Sequence, residues 1–126
     1  MVQILCGVVI GIKTEQSDVR DSNSDIIMFE IIRVTRNSQS VWTKNCLPIN
    51  FTDRNISFGS RKYHLAGTCH HKGTLKFGHW ITKLCLSDGN WYELNDLKIT
   101  HQKTMAPGSN DSTAVILVFL AADKFL

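Results

Sequence analysis

Residues 77–96 read FGHWITKLCLSDGNWYELND, and the way this stretch pairs with itself sets both the fold and the site. The runs His79 to Leu86 and Trp91 to Leu94 are β-branched or aromatic, and Ser87-Asp88-Gly89-Asn90 between them supplies turn chemistry. The segment therefore reads as a β-hairpin, in one of two registers. With Asp88-Gly89 as a two-residue turn, Ser87 pairs with Asn90 and Asn95 falls opposite Thr82, on the face away from His79. With Ser87-Asp88-Gly89 as a three-residue loop and Gly89 left-handed, Leu86 pairs with Asn90 and Asn95 falls opposite Ile81. His79 and Asn95 are then diagonal neighbours on one face, about 7–8 Å apart at the backbone, close enough for a side-chain hydrogen bond.

The same vocabulary recurs on both sides of the hairpin. Ile26 to Val34 (IIMFEIIRV), Tyr63 to Cys69 (YHLAGTC) and Ala114 to Leu120 (AVILVFL) are further strand candidates bounded by turn residues. IIMFEIIRV does not alternate cleanly, but its length and its isoleucines favour strand over buried helix. AVILVFL is apolar at every position, which predicts a central strand covered on both sides. Glu15 to Asp25 and Gln102 to Thr113 are loops by composition, and a short helical turn is expected near Leu97 to Gln102. The expected architecture is mainly β, an antiparallel sheet with hairpins, divided into an N-terminal apolar strand and polar loop (1–25) and a β-rich body (26–122).

A chain of 126 residues fits one domain able to bury a core without metal or disulfide staples. With 43% hydrophobic and 20% charged residues it belongs with ordinary globular proteins, neither disordered nor membrane-spanning. The formal charge of +3 is scattered, with Arg61-Lys62 as the only adjacent basic pair, which argues against a nucleic-acid partner. The opening MVQILCGVVIGI lacks a basic n-region and a small-residue cleavage site and is too short to span a bilayer, so it reads as a buried strand. The sequons at Asn50, Asn55 and Asn110 would matter only in a secreted β-domain, the rival to an intracellular reading. Cys6, Cys46, Cys69 and Cys85 are too far apart for paired metal knuckles and suggest no disulfide framework. They read as reduced, small buried hydrophobes.

A histidine oriented by an amide is the base half of a Cys-His-Asn unit, because the orienting oxygen fixes the tautomer and leaves the other ring nitrogen to take a thiol proton. His79 and Asn95 fit that arrangement in one of the two registers. Ahead of them His71-Lys72-Gly73-Thr74-Leu75-Lys76-Phe77-Gly78 is a loop whose two glycines permit close backbone approach. Trp80 can wall a narrow channel beside the base. The plainer alternative is a hairpin loop with a core tryptophan, and His79 and Asn95 merely packing.

HKGTLKFGHW, then GNWYELND, then AVILVFL resembles the C-terminal part of the ubiquitin-specific proteases, the papain-like cysteine deubiquitinases. That family carries a histidine-x-glycine loop, then Gly-His-Tyr, then a Trp-Tyr-x-Phe-(Asp or Asn)-Asp strand, then a final Ala-Tyr-Val-Leu-Phe-Tyr strand. Upstream, FEIIRVTR is similar to its Leu-x-x-x-Leu-x-Arg-Phe strand and Leu47 to Phe58 to its lysine-preceded extended segment. The resemblance covers about Ile26 to Leu120, roughly the last third of the family's domain. It implies the C-terminal β-rich part of a papain-like α+β cysteine protease, located in the cytoplasm or nucleus, with no cofactor or metal. It also implies His79 as general base, Asn95 as third triad member and Asp96 as the acidic residue that follows. His71, Gly73, Gly78 and Trp80 would bind the C-terminal tail of ubiquitin or a ubiquitin-like protein. Trp80 stands where the family has tyrosine and Leu94 where it has phenylalanine. The family's Gly-Asn-Thr-Cys-Tyr nucleophile box and its CxxC knuckles have no counterpart here. The expectation is a domain fragment inactive alone, with a non-catalytic ubiquitin-binding or protein-interaction module as the alternative, and an exposed apolar face that limits solubility.

Overall fold

The computed structural model describes residues 2–4, 9–10, 24–52, 54–58, 60–102 and 108–124, the first two segments as backbone only. Most of the Glu15 to Asp25 loop, Cys6 and residues 103–107 of the second loop lie outside the described residues.

The strands are β1 (Val2–Ile4), β2 (Val9–Ile10), β3 (Ile26–Ile31), β4 (Val34–Arg36), β5 (Trp42–Lys44), β6 (Asn55–Phe58), β7 (Arg61–Gly73), β8 (Gly78–Cys85), β9 (Trp91–Asn95), β10 (Lys98–Gln102) and β11 (Ala114–Ala121), followed by a 3-10 turn at Ala122–Lys124. Nine of them form one sheet in the order β10-β9-β8-β7-β11-β3-β1-β2, with β6 added alongside β7, and β4 and β5 make a separate hairpin. Every pairing is antiparallel, as the runs of strand and turn residues predict. The N-terminal apolar run enters the sheet through β1, which pairs with β3.

One face of the sheet carries the core. Ile27 and Ile31 of β3, Tyr63 and Leu65 of β7, Trp91 of β9, and Ala114, Leu117, Phe119 and Ala121 of β11 are buried there. Phe51 and Phe58, from the extended segment that includes β6, join the same cluster. Phe29 meets Phe119 edge-on at 5.4 Å between ring centroids, a geometry that adds to the plain burial of aromatic area. Burying a phenylalanine-sized side chain contributes about 1.5–3 kcal/mol, so this cluster is the main source of stability.

The sheet departs from the sequence expectation in four places. AVILVFL is central, between β7 and β3, but only one of its faces is fully buried. Val118 and Leu120 remain half-buried in an open apolar groove of about 260 Å³ shared with Leu84, Cys69 and Thr82. The run Ile26 to Val34 is broken at Ile32-Arg33, because Arg33 turns inward and donates to backbone carbonyls instead of continuing the strand. The helical turn expected at Leu97 to Gln102 is strand β10. Asp96, in the left-handed region at φ 53°, reverses the chain so that Lys98 pairs with Asn95 and Gln102 with Trp91. The cysteines are also less buried than expected, since Cys46 is exposed and Cys69 and Cys85 are half-buried, all three free thiols.

Two bulges shape the long strand β7. Ile116 pairs with Cys69 while Ala114 pairs with His70, leaving Val115 as an extra residue on β11. Val118 pairs with Gly67 while Phe119 pairs with Leu65, leaving Ala66 as an extra residue on β7. Each extra residue inverts the in–out alternation beyond it. Inward positions on β7 therefore run Tyr63, Leu65, then Thr68 and His70.

Candidate functional site

The hairpin takes the three-residue loop. Leu86 accepts from Gly89 and donates to Asn90, Gly89 is left-handed at φ 82°, and Asp88 accepts from the Asn90 amide. Cys85 then pairs with Trp91 and Thr82 with Leu94, which puts Asn95 opposite Ile81. His79 Nε2 lies 2.5 Å from Asn95 Oδ1. A carbonyl oxygen only accepts, so Nε2 carries the ring proton and Nδ1 keeps its lone pair. Asp96 Oδ2 stands 4.0 Å from the same Nε2, on a side chain that is 79% exposed. Its left-handed backbone aims it back toward the ring. His79, Asn95 and Asp96 are thus brought together.

The other four expected residues form a second group. On β7 and β8 directly opposite residues share a face, and the pairs are Lys72–His79, His71–Trp80 and Gly73–Gly78. His79 therefore points to the face that also holds Ile81 and His70, and His71 and Trp80 point to the other. The His71 and Trp80 rings lie 4.8 Å apart and border an open cavity of about 420 Å³, lined also by Thr74 to Gly78 and Val115. Phe77 and Trp80 leave much of their surface in solvent. The loop closes through Thr74, whose amide donates to the Phe77 carbonyl at 2.6 Å and whose hydroxyl accepts from the Phe77 amide at 3.1 Å. A Cβ on Gly78 would run into the His71 ring and sit 2.8 Å from the Lys72 carbonyl. Gly73 has φ 124° and its missing Cβ would strike Phe77. Both glycines are required by the close approach of the two chain segments.

Three polar residues outside the expected set organise this end of the sheet. Lys44 Nζ donates to His71 Nδ1 at 2.8 Å and to the carbonyls of Gly73 at 2.7 Å and His71 at 3.3 Å. Burial, and then the Lys44 ammonium, hold the His71 pKa below the ordinary histidine value. Arg33, 5% exposed, donates to the carbonyls of Ala114, Leu47, Asn45 and Asp111 at 2.7–3.3 Å. Asp111 in turn accepts from the amides of Thr113 and Ala114, both at 2.8 Å, and lies 3.5 Å from His70. Burial pushes the Asp111 carboxyl up, but His70 and the two amides outweigh it and hold it well below the usual carboxylate range. In the sequence Arg33 carries a signal, a charged residue inside an apolar run. Lys44's bond to His71 and His70's to Thr113 span 27 and 43 residues, so neither pairing can be read from local spacing.

No thiol reaches His79 among the described residues. Cys85 is six residues along β8, about 20 Å at strand rise. Cys69 lies opposite Thr82, with Sγ 3.9 Å from its hydroxyl, on the face away from His79. Nor does any group of three or more His, Cys, Asp or Glu among these residues have the placement to hold a metal ion.

The family model of the ubiquitin carboxyl-terminal hydrolases matches residues 13–119. Among solved structures, a chain of the yeast SAGA DUB module superposes with TM-score 0.66 at 20% identity, over 77% of this chain and 23% of that one. The SAGA DUB module of Ubp8, Sgf11, Sus1 and Sgf73 bound to monoubiquitin gives TM-score 0.67 at 20% identity, with the same shares. The Ubp8-Sgf11-Sgf73-Sus1 SAGA DUB module gives 0.66 at 21%, over 77% and 24%. No curated protein matches the sequence. The antiparallel β fold is that of a ubiquitin-specific protease, a deubiquitinase-like domain. The chain belongs to the ubiquitin carboxyl-terminal hydrolase family, and it spans about a quarter of the length of the solved chains it resembles.

Proposed function

We propose that residues 26–122 are the histidine-bearing C-terminal part of a cysteine-type deubiquitinase domain, which hydrolyses ubiquitin isopeptide bonds when joined to a cysteine-bearing part. The observation that carries this reading is the 2.5 Å contact of His79 Nε2 with Asn95 Oδ1. It leaves Nδ1 free to take the proton of a thiol presented from outside the described residues. The thiolate then attacks the isopeptide carbonyl, and the imidazolium returns the proton to the departing lysine amine. Asp96 adds negative charge near the ring that develops positive charge. His71, Gly73, Gly78 and Trp80 form the wall along which the extended ubiquitin C-terminal tail lies, where glycines leave room for backbone-to-backbone contact.

In this reading the 126-residue chain binds ubiquitin without hydrolysing it, because among the described residues no thiol is placed for the base to deprotonate. It works in the cytoplasm or nucleus, where Cys46, Cys69 and Cys85 stay reduced. The decisive experiment is His79→Ala in the longest natural transcript, with turnover of a fluorogenic ubiquitin substrate as readout. Loss of turnover supports the assignment, and unchanged turnover removes it. Hydrolysis by the purified 126-residue chain would overturn its inactivity, and glycan on Asn50 or Asn55 after expression in eukaryotic cells would overturn its compartment.

A further inference from the structure

The Lys44 ammonium has three protons, and three acceptors meet them: one ring nitrogen and two carbonyls, all on the last three residues of β7 or their edge. An ammonium cannot accept, so His71 Nδ1 must be the lone-pair nitrogen and the ring proton must sit on Nε2. That nitrogen occupies the space a Cβ on Gly78 would fill, and the ring leans on Trp80. Lys44 stands on the β4–β5 hairpin, outside the main sheet. It is anchored there by the Val34–Lys44 pair and by Asn45, which donates to the Arg33 carbonyl.

We propose that Lys44 is a positioning residue for the candidate site: it fixes the tautomer and tilt of His71 and, through Gly78 and Trp80, the placement of the 74–78 loop beside His79. A lysine at this point does what no neutral side chain could, since it donates to the ring and to both carbonyls at once. Among the described residues Lys44 is also the one charged group acting on the His71 pKa. The effect on ligand binding rests on the tail-binding reading of the loop, whereas the clamp itself does not.

Nuclear magnetic resonance on the 126-residue chain separates the two. In the unaltered protein, ring nitrogen shifts should show His71 as the Nε2–H tautomer, protonating at a pH below that of an ordinary histidine. In Lys44→Met, which keeps the stem and loses the charge, His71 should become a tautomer mixture. Its titration should move up, and the amides of residues 74–78 should shift. A Nδ1–H tautomer in the unaltered chain, or a ring and loop unchanged by Lys44→Met, would overturn the clamp. A peptide carrying the ubiquitin C-terminal tail should bind Lys44→Met about tenfold more weakly, with Lys44→Arg restoring part of the loss. Equal binding would overturn the positioning role. Binding to neither protein would overturn the tail-binding reading and with it the claim on ligand binding, while the ring and loop shifts still decide the clamp.

Discussion

His70 and His71 are neighbours in the chain and belong to opposite kinds of chemistry. His70 is 1% exposed and locked between the hydroxyls of Thr68 at 2.8 Å and Thr113 at 3.0 Å. It sits in a buried polar cluster that continues through Asp111 to Arg33. His71 stands at the open end, against Lys44, Trp80 and an open cavity. The first cluster ties the strap at residues 45–47 and the 111–114 turn to the sheet, and the second borders an open cavity. One residue of register separates a histidine sealed in the sheet from one at an open cavity.

The comparison breaks first at Arg33. Arg33→Ala strips the donor from four carbonyls that water reaches poorly, at a cost of about 3–5 kcal/mol, a large part of the stability of a small domain. A urea midpoint within error of the parent protein would show that the buried cluster does not hold the fold. Acid separates the clusters along the pH axis. Asp111 is held below the usual carboxylate range in the folded state. Its contribution is therefore complete above the unfolded value of about 3.9 and fades as the pH falls below it. His71 is held below the ordinary histidine value, so the neutral clamp is complete above about pH 6.5 and weakens below it. Loop amides are expected to respond in mild acid, below about pH 6.5, and the global melt only in stronger acid. A single common step would merge the two clusters into one.

His70→Ala should cost about 2 kcal/mol, leaving the buried Thr68 hydroxyl without its partner and taking the imidazole away from Asp111, while tail binding changes little. His71→Ala should do the reverse, lowering stability by less than about 1 kcal/mol and weakening tail binding. Thermal melts and a peptide-binding titration on the same two variants test the split directly, and matching effects would abolish it. Gly78→Ala comes next, at about 1–3 kcal/mol, because the new methyl displaces the His71 ring. If that variant keeps the His71 tautomer and the loop amide shifts, the close approach at Gly78 is not a constraint.

The sheet and its hairpins were legible because they are local, whereas counting along the two strands left two registers for His79 and Asn95, of which the structure takes the one set by the Ser87-Asp88-Gly89 loop. Alternation read forward from Tyr63 and Leu65 would turn His71 inward and His70 outward. The extra residue Ala66 inverts it, and nothing local announces a bulge between two strands 50 residues apart. The register puts His79 and Asn95 of the expected catalytic set on one face and His71 and Trp80 of the expected tail-binding set on the other, the two meeting at the Gly73–Gly78 end of the hairpin. Strand β10 escaped because it is solvated along nearly its whole length. An edge strand with no buried face has no hydrophobic period to read.

The smallest expected effect on stability falls on Asn95. Its hydrogen bond to His79 is half in solvent, so Asn95→Ala should shift the melt by less than about 1 kcal/mol's worth of stability. What it removes is the acceptor that holds the proton on Nε2. With Asn95 gone, the nearest oxygen is Asp96 Oδ2 at 4.0 Å, on an exposed side chain that can swing in, so the tautomer is only partly lost. If the chain is joined to a cysteine-bearing part as proposed, this predicts a fall in turnover of about a hundredfold, smaller than that of His79→Ala. Asn95→Ala with Asp96→Ala should fall further, whereas Asn95→Asp, which keeps an acceptor at the same reach, should retain most of the rate. If Asn95→Ala turns over normally while His79→Ala does not, orientation comes from Asp96. If Asn95→Ala destabilises the chain as much as His70→Ala does, the pair belongs to the packing of the sheet, and the contrast between a structural and a functional histidine moves from His70 and His71 to His79 itself.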